Sequence, residues 1–211
     1  MVTPLLDVLE RSRSLGFLGP GSVRVHVDHA DGFAAGLEQP PARFLDLGSG
    51  GGVPGLVLSL RWMDSEAVLL DGRERRCAFL EEAVQSLGLA ERVTVVCARA
   101  EDAGRRADLR ARFDLVVARG FGRPATTAEC AAPFLRVGGT LAVSEPPLDD
   151  DVMVAGGGPS ARWEPAGLAR VGLALGRSWA QEYRYQALQQ VEPCPPQYPR
   201  RTGIPAKRPL F

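Results

Sequence analysis

The chain has 211 residues, of which 45% are hydrophobic and 24% are charged, and its formal net charge at neutral pH is zero. This length and composition indicate a globular protein with a full hydrophobic core, and they exclude a chain that attracts nucleic acids through a global positive charge. No apolar run is long enough to cross a bilayer, and the N-terminus lacks the layout of a signal peptide, so we expect a cytoplasmic protein.

Cysteine and histidine usage gives no pattern for a disulfide or metal framework. The four cysteines are far apart and include no Cys-x-x-Cys pair: Cys77, Cys97, Cys130 and Cys194. We expect them to be free thiols. The two histidines, His26 and His29, are three residues apart, and we expect structural or capping roles for them rather than metal binding.

The first 40 residues predict one or two short helices, most clearly over LLDVLERSR (5–13). After a proline-rich break at 39–41, strands and helices alternate. Strands are predicted at 43–47, 67–71, 93–98, 113–119 and 138–145. Helices are predicted at 54–62, 73–89 and 124–135, with a short polar helix after the third strand.

Strands spaced at about 25 residues with helices between them predict an α/β fold, a mostly parallel sheet with helices on both faces. Beyond Pro147, the pattern predicts a loop at 153–163, a helix at 164–175 and two antiparallel edge strands within 178–191. We interpret the chain as three parts: a short helical segment (1–40), an α/β domain (41–192), and a basic Pro/Arg-rich tail (193–211).

The segment FLDLGSGGGVPG (44–55) places five glycines and a proline straight after the first strand, where the backbone approaches a ligand. A P-loop is excluded because the segment contains no lysine. The sequence from Gly50 to Gly55 satisfies the dinucleotide pattern G-x-G-x-x-G, and Asp71 follows at about the spacing of a ribose-binding acid. A nicotinamide dinucleotide therefore remains one interpretation.

A second interpretation is S-adenosylmethionine. Asp46 lies two residues before Gly48, where an anion disfavours a pyrophosphate but favours a positively charged amino group. S-adenosylmethionine carries such an ammonium, a ribose for Asp71, and no phosphate. It also suits a chain with no second domain for a dehydrogenase substrate.

Five segments in this order and spacing resemble the glucose-inhibited division protein B family: FLDLGSGGGVPG, LLDGRERRCAFL, ARAED, FDLVVARGF and YPRRTGIPAKRPL. Members of that family are bacterial methyltransferases that methylate a guanine at N7 in small-subunit ribosomal RNA. The resemblance covers roughly residues 43–145 and 198–210. It implies a Rossmann-like, class I S-adenosylmethionine-dependent methyltransferase fold with, from the strand pattern, an antiparallel C-terminal edge.

With the glycine turn, the resemblance implies a set of cofactor-binding residues: Asp46, Gly48, Gly50, Gly52, Val53, Asp71, Ala100, Glu101 and Arg119. Within this set, Gly48 and Val53 would line the methionine and ribose side, and Asp71 would bind the ribose hydroxyls. Ala100 and Glu101 would hold the adenine.

Arg119 is the candidate catalytic residue, which the resemblance places beside the cofactor at the catalytic face. Guanine N7 has a lone pair and no proton, so it attacks the sulfonium methyl group without a general base, and alignment is the main demand on the enzyme. Arg119 is able to donate to the guanine edge that carries O6 and N7.

The basic tail is the candidate RNA contact. Its cations would hold phosphates: Arg200, Arg201, Lys207 and Arg208. We expect ribosomal RNA or a small-subunit particle as partner, and a monomeric protein. A solvated tail without an RNA role is the alternative.

Glu145 marks a departure from the resemblance. Where the family tends to carry Lys-Gly after the fifth strand, this chain has SEPP (144–147), which predicts an anion at the rim of the active site. The N-terminal part is also shorter than the helical extension usual in the family. These two departures keep two alternatives open: a family member that methylates another RNA or a small molecule, and a non-catalytic cofactor- or RNA-binding module.

Overall fold

A computed structural model describes residues 2–146 and 162–211, and within them the strands form one seven-stranded sheet. In chain order these strands are β1 (Arg43–Leu47), β2 (Glu66–Asp71), β3 (Val93–Cys97), β4 (Phe113–Ala118), β5 (Leu135–Glu145), β6 (Leu173–Ala180) and β7 (Arg184–Gln190). The first five are parallel, β7 is antiparallel to β5, and β6 is antiparallel to β7. The predicted α/β fold with an antiparallel C-terminal edge is confirmed.

The strand order is β3-β2-β1-β4-β5-β7-β6, so the chain reverses its direction across the sheet between β1 and β4. In register, Phe44 of β1 lies between Ala67 of β2 and Leu115 of β4. Open parallel sheets bind ligands beyond the carboxyl ends of their strands at such a switch point. This edge is therefore the place where a ligand site is expected.

The helices begin and end close to the predicted positions. They are α1 (Val2–Ser14), α2 (Val23–Ala35), α3 (Gly55–Arg61), α4 (Glu74–Ser86), α5 (Ala100–Ala103), α6 (Pro124–Ala131), α7 (Pro165–Ala169) and α8 (Ile204–Lys207). Gly88, with φ of +68°, follows the end of α4 as predicted. Within the described part of the chain, no helix is long and apolar enough to span a bilayer.

Two boundaries differ from the predictions. The helix predicted over 124–135 ends at Ala131 and continues as a short 3-10 turn, Ala132–Phe134, because Pro133 has no N–H to donate. The helix predicted over 164–175 covers only Pro165–Ala169, since the following apolar residues pair with β7. The predicted loop over 153–163 lies, up to residue 161, outside the described residues.

The sheet separates two hydrophobic clusters, which explains the near-continuous apolar strands. Successive side chains of β1 point to opposite faces: Leu45 and Leu47 join the cluster around Phe113, whereas Phe44 joins the cluster around Tyr185. All four cysteines are free thiols, as predicted.

The N-terminal helices pack on the cluster around Tyr185, which we call the second cluster. Leu9 of α1 and Phe33 of α2 are fully buried there. Ser22 caps α2 by accepting a hydrogen bond from the Val25 N–H. At the end of α1, Ser12 donates to the Gly51 carbonyl at 2.9 Å, which joins this helix to the glycine turn.

The C-terminal segment is fastened to the body by arginines. Arg110 donates to four carbonyl oxygens over 2.8–3.0 Å, those of Gly104, Cys194, Pro195 and Tyr198. Arg200 forms a two-pronged ion pair with Glu129 of α6, whose side chain is completely buried. These bonds hold the first part of the C-terminal segment, residues 194–200, against the body of the protein.

Candidate active site

A cavity of about 490 Å³ opens at the carboxyl ends of β1, β2 and β3, beside the switch point. We call it the first cavity. Its wall includes Gly48, Asp71, Ala100, Glu101, Phe121 and, from the C-terminal segment, Ala206. Its volume lies within the roughly 300–1,000 Å³ of small-molecule sites.

The glycine turn forms one side of the first cavity, and its glycines serve two purposes. Three have positive φ, which favours glycine: Gly48 (+76°), Gly50 (+53°) and Gly52 (+92°). Others allow close packing inside the protein. A β-carbon on Gly51 would lie 2.5 Å from Ser12 Oγ, and one on Gly55 would lie 2.5 Å from Asp46 Oδ2. The turn is therefore shaped by its own packing as well as by the cavity.

Asp71, the last residue of β2, is buried and anchors this turn. Its Oδ2 accepts from the Gly50 N–H and its Oδ1 from the Arg73 N–H, both at 2.9 Å. Arg76 lies 3.6 Å from Oδ2. Each carboxylate oxygen can accept a second hydrogen bond. Asp71 therefore holds the turn and still presents acceptors to the cavity, as a ribose-binding acid must.

Asp46 lies one layer deeper, beneath the turn. Its Oδ2 accepts from the Gly55 N–H at 2.9 Å, while its Oδ1 has no partner among the described residues. Burial raises the pKa of this carboxyl to about 7, although the Gly55 N–H and nearby Arg119 favour the ionised form. Asp46 supports the turn and does not line the cavity.

Ala100 and Glu101 open α5 at the far side of the first cavity. The Glu101 carboxylate is buried and accepts from the Gly203 N–H of the C-terminal segment at 2.9 Å. Next to it, Thr202 donates to Asp102 at 2.8 Å. The C-terminal segment is thus bound to the element predicted to hold the adenine.

Arg119, directly after β4, lines a second cavity of about 380 Å³. Its guanidinium donates to Nδ1 of His26 at 2.7 Å, and Nε2 of His26 lies 3.2 Å from the Gly19 carbonyl. Because arginine only donates and a carbonyl only accepts, His26 is the neutral tautomer with its proton on Nε2. Burial lowers the pKa of His26, which favours this neutral form.

The second cavity lies between the carboxyl ends of β4 and β5 and shares Phe121 and Gly122 with the first. Glu145 borders it, at the rim where an anion was predicted, but its side chain is not exposed there. The Glu145 carboxylate is buried, accepts from Trp163 Nε1 at 2.6 Å and pairs with Arg162. Its charge is neutralised within the protein, so it does not repel RNA at the rim.

The structure brings some of the predicted cofactor residues together and leaves others apart. Gly48, Asp71, Ala100 and Glu101 line the first cavity. Arg119 lines the second cavity. The other four residues of the predicted set line neither cavity: Asp46, Gly50, Gly52 and Val53. Val53 is a core residue of the second cluster, where an apolar β-branched side chain packs.

The four basic residues predicted to contact RNA differ in their surroundings. The Arg200 guanidinium is held by buried Glu129, so its role is to fasten the chain, and it is withdrawn from the predicted RNA contact. The side chains of Arg201, Lys207 and Arg208 are exposed. Among the described residues, none of these three forms an ion pair.

A protein-family model, GidB, described as rRNA small subunit methyltransferase G, matches residues 29–145. The chain belongs to this family. The ribosomal RNA small subunit methyltransferase G of Moorella thermoacetica is 40% identical over 82% of this chain and 72% of its own length. That of Symbiobacterium thermophilum is 35% identical over 87% of this chain and 76% of its own length. The predicted family and enzyme class are confirmed.

Solved structures share the GidB fold at low sequence identity. An O-methyltransferase from Bacillus cereus, in complex with S-adenosylhomocysteine, matches with a TM-score of 0.63 at 14% identity, over 90% of this chain and 91% of that one. A methyltransferase from Podospora anserina, also bound to S-adenosylhomocysteine, matches at 0.59 and 17% identity, over 90% and 88%. These likenesses show the class I methyltransferase fold.

S-adenosylmethionine is the cofactor of the GidB family, and the first cavity fits it. The cavity offers the Asp71 carboxylate, the backbone at Gly48, and a partly apolar wall at Ala100 and Phe121. Within the described residues, no group of histidine, cysteine and acidic side chains could hold a metal ion. Among these groups, the Asp71 carboxylate is an acceptor suited to the hydroxyls of a ribose.

Sequence reasoning missed His29, Phe121 and Trp163 in this GidB site. All three line the second cavity. Phe121 carried a signal, since a bulky aromatic residue between two glycines stands two residues after the candidate catalytic arginine. Trp163 carried none, because only the folded chain brings it to the end of β5.

Proposed function

We propose that this member of the GidB family methylates N7 of a guanine in small-subunit ribosomal RNA, with S-adenosylmethionine as methyl donor. The observation that carries the proposal is the pair of adjoining cavities at the switch point of a GidB fold. The first suits an adenosine, and the second, which borders Arg119, lies directly beside it. Transfer between two bound molecules requires such adjacent sites.

The cofactor would be held by residues of the first cavity. We assign the ribose hydroxyls to Asp71, the adenine to the start of α5 at Ala100 and Glu101, and the methionine end to Gly48. S-adenosylmethionine, when bound, supplies an activated methyl group. Asp46 and Gly50 act indirectly, because they fix the turn through Gly55 and Asp71.

The chemistry asks this chain for orientation rather than acid–base catalysis. Guanine N7 has a free lone pair and no proton, so no side chain has to remove one. The residues around the second cavity have to hold the base in line and exclude water. Arg119 supplies donors for that purpose, and neutral His26 keeps its guanidinium in place.

The partner would be ribosomal RNA, alone or in a small-subunit particle, and we propose a cytoplasmic monomer. Exposed Arg201, Lys207 and Arg208 beside the first cavity's Ala206 support RNA contact at this edge of the sheet. The pairing of Glu145 with Arg162 and Trp163 removes one of the two reasons to favour a different substrate.

The test is methylation of defined RNA by the purified protein. Small-subunit RNA and small-subunit particles would each be incubated with S-adenosylmethionine carrying a labelled methyl group, digested to nucleosides, and analysed by mass spectrometry. We expect label in 7-methylguanosine from at least one of the two substrates. Label in another nucleoside would contradict the proposed atom, and a protein that binds S-adenosylmethionine but labels neither substrate would contradict the proposed RNA.

A further inference from the structure

The second cavity borders the proposed methyl-transfer site, and the proposed function requires it to take the base without saying which of its side chains recognise a guanine. We propose that it is the guanine pocket: it holds the target base, turned out of the RNA, with N7 toward the first cavity. This inference rests on the proposed function and adds the place and the groups that select the base. Enzymes that modify a base in RNA need such a pocket, with polar groups at the base edge and an apolar or aromatic face to stack on.

Arg119 provides the selective edge of the pocket. A guanidinium has five N–H donors, and within the described chain Arg119 uses one of them, on His26. Guanine presents O6 as an acceptor beside N7, whereas adenine presents an amino donor at that position. Because arginine cannot accept a hydrogen bond, Arg119 pairs with guanine O6 and leaves the amino group of adenine unpaired.

His29 adds a second polar group, one of whose ring nitrogens makes no hydrogen bond to the described residues. Its Nε2 is buried without a partner among the described residues, and its ring borders the cavity. The ring lies parallel to Tyr183, with centroids 4.1 Å apart, so its orientation is fixed. Burial and the charge of Arg119 lower its pKa to about 4, which keeps His29 neutral at pH 7. Buried polar side-chain atoms are nearly always hydrogen-bonded, so a base that reached Nε2 through the cavity would supply its missing partner.

Phe121 supplies the stacking face at the boundary of the two cavities. It lies between Gly120, with φ of +63°, and Gly122, and it borders both cavities. Its ring is 2.7 Å from where a β-carbon on Gly48 would lie, so it covers the glycine turn directly. A base stacked on this ring would have its edge at the entrance to the first cavity.

The kinetic test compares His29→Ala with Val25→Ala, an exposed position on the same helix α2. We expect His29→Ala to lower kcat/KM for RNA about tenfold or more, with the Kd for S-adenosylmethionine, measured by calorimetry, within about threefold of wild type. Val25→Ala should leave both unchanged. Wild-type kcat/KM for RNA in His29→Ala, or an equal loss of cofactor affinity, would overturn the proposal.

Phe121 gives a paired test of stacking. Phe121→Ala should lower kcat/KM for RNA about 5- to 150-fold, the range for loss of one base–aromatic stack. Phe121→Tyr keeps an aromatic face and should retain most of the activity. If Tyr and Ala are equally impaired, Phe121 does not act by stacking.

A crosslinking experiment locates the base without relying on activity losses. Substrate RNA containing 6-thioguanosine, whose sulfur replaces O6, would be irradiated with the enzyme and the crosslinked peptides identified. We expect crosslinks within 118–122, at His29 or at Trp163. Crosslinks confined to other segments would overturn the pocket while leaving the proposed function standing. If unmodified RNA is not methylated at all, the proposed function fails and this inference fails with it.

Discussion

Asp71 and Asp46 are buried carboxylates at the ends of neighbouring parallel strands, yet their partners give them different properties. Asp71 accepts two backbone N–H bonds and lies near Arg76. Asp46 accepts one such bond and leaves an oxygen without a partner in the described structure. Burial with few partners disfavours the charged form. The acid nearest the glycine turn in sequence is therefore a support, and the acid after β2 faces the cavity.

Asp46 should make stability fall with rising pH. Its pKa in the folded protein is about 7, well above the value of about 4 in an unfolded chain, so the folded state binds the extra proton between these limits. Unfolding free energies of wild type and Asp46→Asn, from urea titrations at pH 5 to 8, test this. The advantage of wild type over the variant should shrink by roughly 1 kcal/mol per pH unit up to pH 7 and then level off.

His29 changes the pH dependence of stability in the opposite direction to Asp46. The test therefore uses the difference in unfolding free energy between wild type and Asp46→Asn. The pKa of His29 is lowered to about 4, so the folded state binds fewer protons than the unfolded chain and stability falls as pH drops below about 6.5. Wild type alone therefore shows partial cancellation. A difference from Asp46→Asn that stays constant across pH 5 to 8 would contradict the assignment.

At the scale of elements, two short segments shape the first cavity from opposite sides. The glycine turn is braced by α1 through Ser12 and by α3 through Gly55. Helix α5 is braced by the C-terminal segment through Glu101 and Gly203. The termini of the chain thus stabilise the site although neither carries the chemistry.

Gly52 is the turn position that should tolerate substitution least. Its φ is +92°, and a β-carbon there would collide with buried Leu56. Gly52→Ala should lower the free energy of unfolding by about 2 kcal/mol or more, from backbone strain and overpacking. Gly19→Ala is the matched control, because that position has open space, and should change stability by less than about 0.5 kcal/mol. Urea denaturation compares them, and equal stabilities would be inconsistent with a packed turn.

The ion pair of Arg200 with Glu129 should be essential for the attachment of the C-terminal segment. Arg200→Ala leaves the completely buried Glu129 carboxylate with the backbone N–H of residue 200 but without a positive partner, which costs about 3 kcal/mol or more. Arg201→Ala, at the exposed neighbouring position, should cost less than about 0.5 kcal/mol. Chemical denaturation of the two variants measures both effects. A stable Arg200→Ala protein would mean that the other bonds of the segment, to Arg110, Glu101 and Asp102, are enough to fasten it.

At the scale of the whole molecule, a chain of zero net charge would bind RNA through local placement of cations. Exposed Arg201 and Lys207 lie at the ligand-binding edge of the sheet, near the first cavity. Exposed Arg112 precedes β4 and therefore lies at the opposite edge. The proposal thus gives the molecule one RNA-facing side.

Replacing Arg201 and Lys207 together by alanine should weaken RNA binding and its salt dependence. Each phosphate contact contributes about 0.7 to the slope of log K against log salt for single strands, so two lost contacts should reduce the slope by about 1.4. Arg112→Ala is the control and should leave the slope unchanged. Binding of a small-subunit RNA fragment at several salt concentrations gives the slopes, and equal slopes would place the RNA elsewhere.

Regular sequence periodicity made the strands and helices predictable. The partners of buried charged side chains were not predictable from the sequence. All five parallel strands were predicted because both of their faces are apolar. Asp71, which lines the first cavity, was predicted as a ribose-binding acid because it follows the glycine turn at the spacing of such an acid. The partners of Glu145 and Arg200 were not predictable, since Trp163 and Glu129 are 18 and 71 residues away in the chain. Exposure of a charge depends on such distant partners, whereas strand position does not.

The most direct test of the central claim is a map of 7-methylguanine in small-subunit ribosomal RNA from a strain that lacks this gene. Reverse-transcription stops after borohydride and aniline cleavage would be compared with those from the same strain carrying the wild-type gene or Asp71→Ala. We predict one guanine whose N7 methylation depends on the wild-type gene and is lost or strongly reduced with Asp71→Ala. A methylation map identical in the presence and absence of the gene would contradict the account.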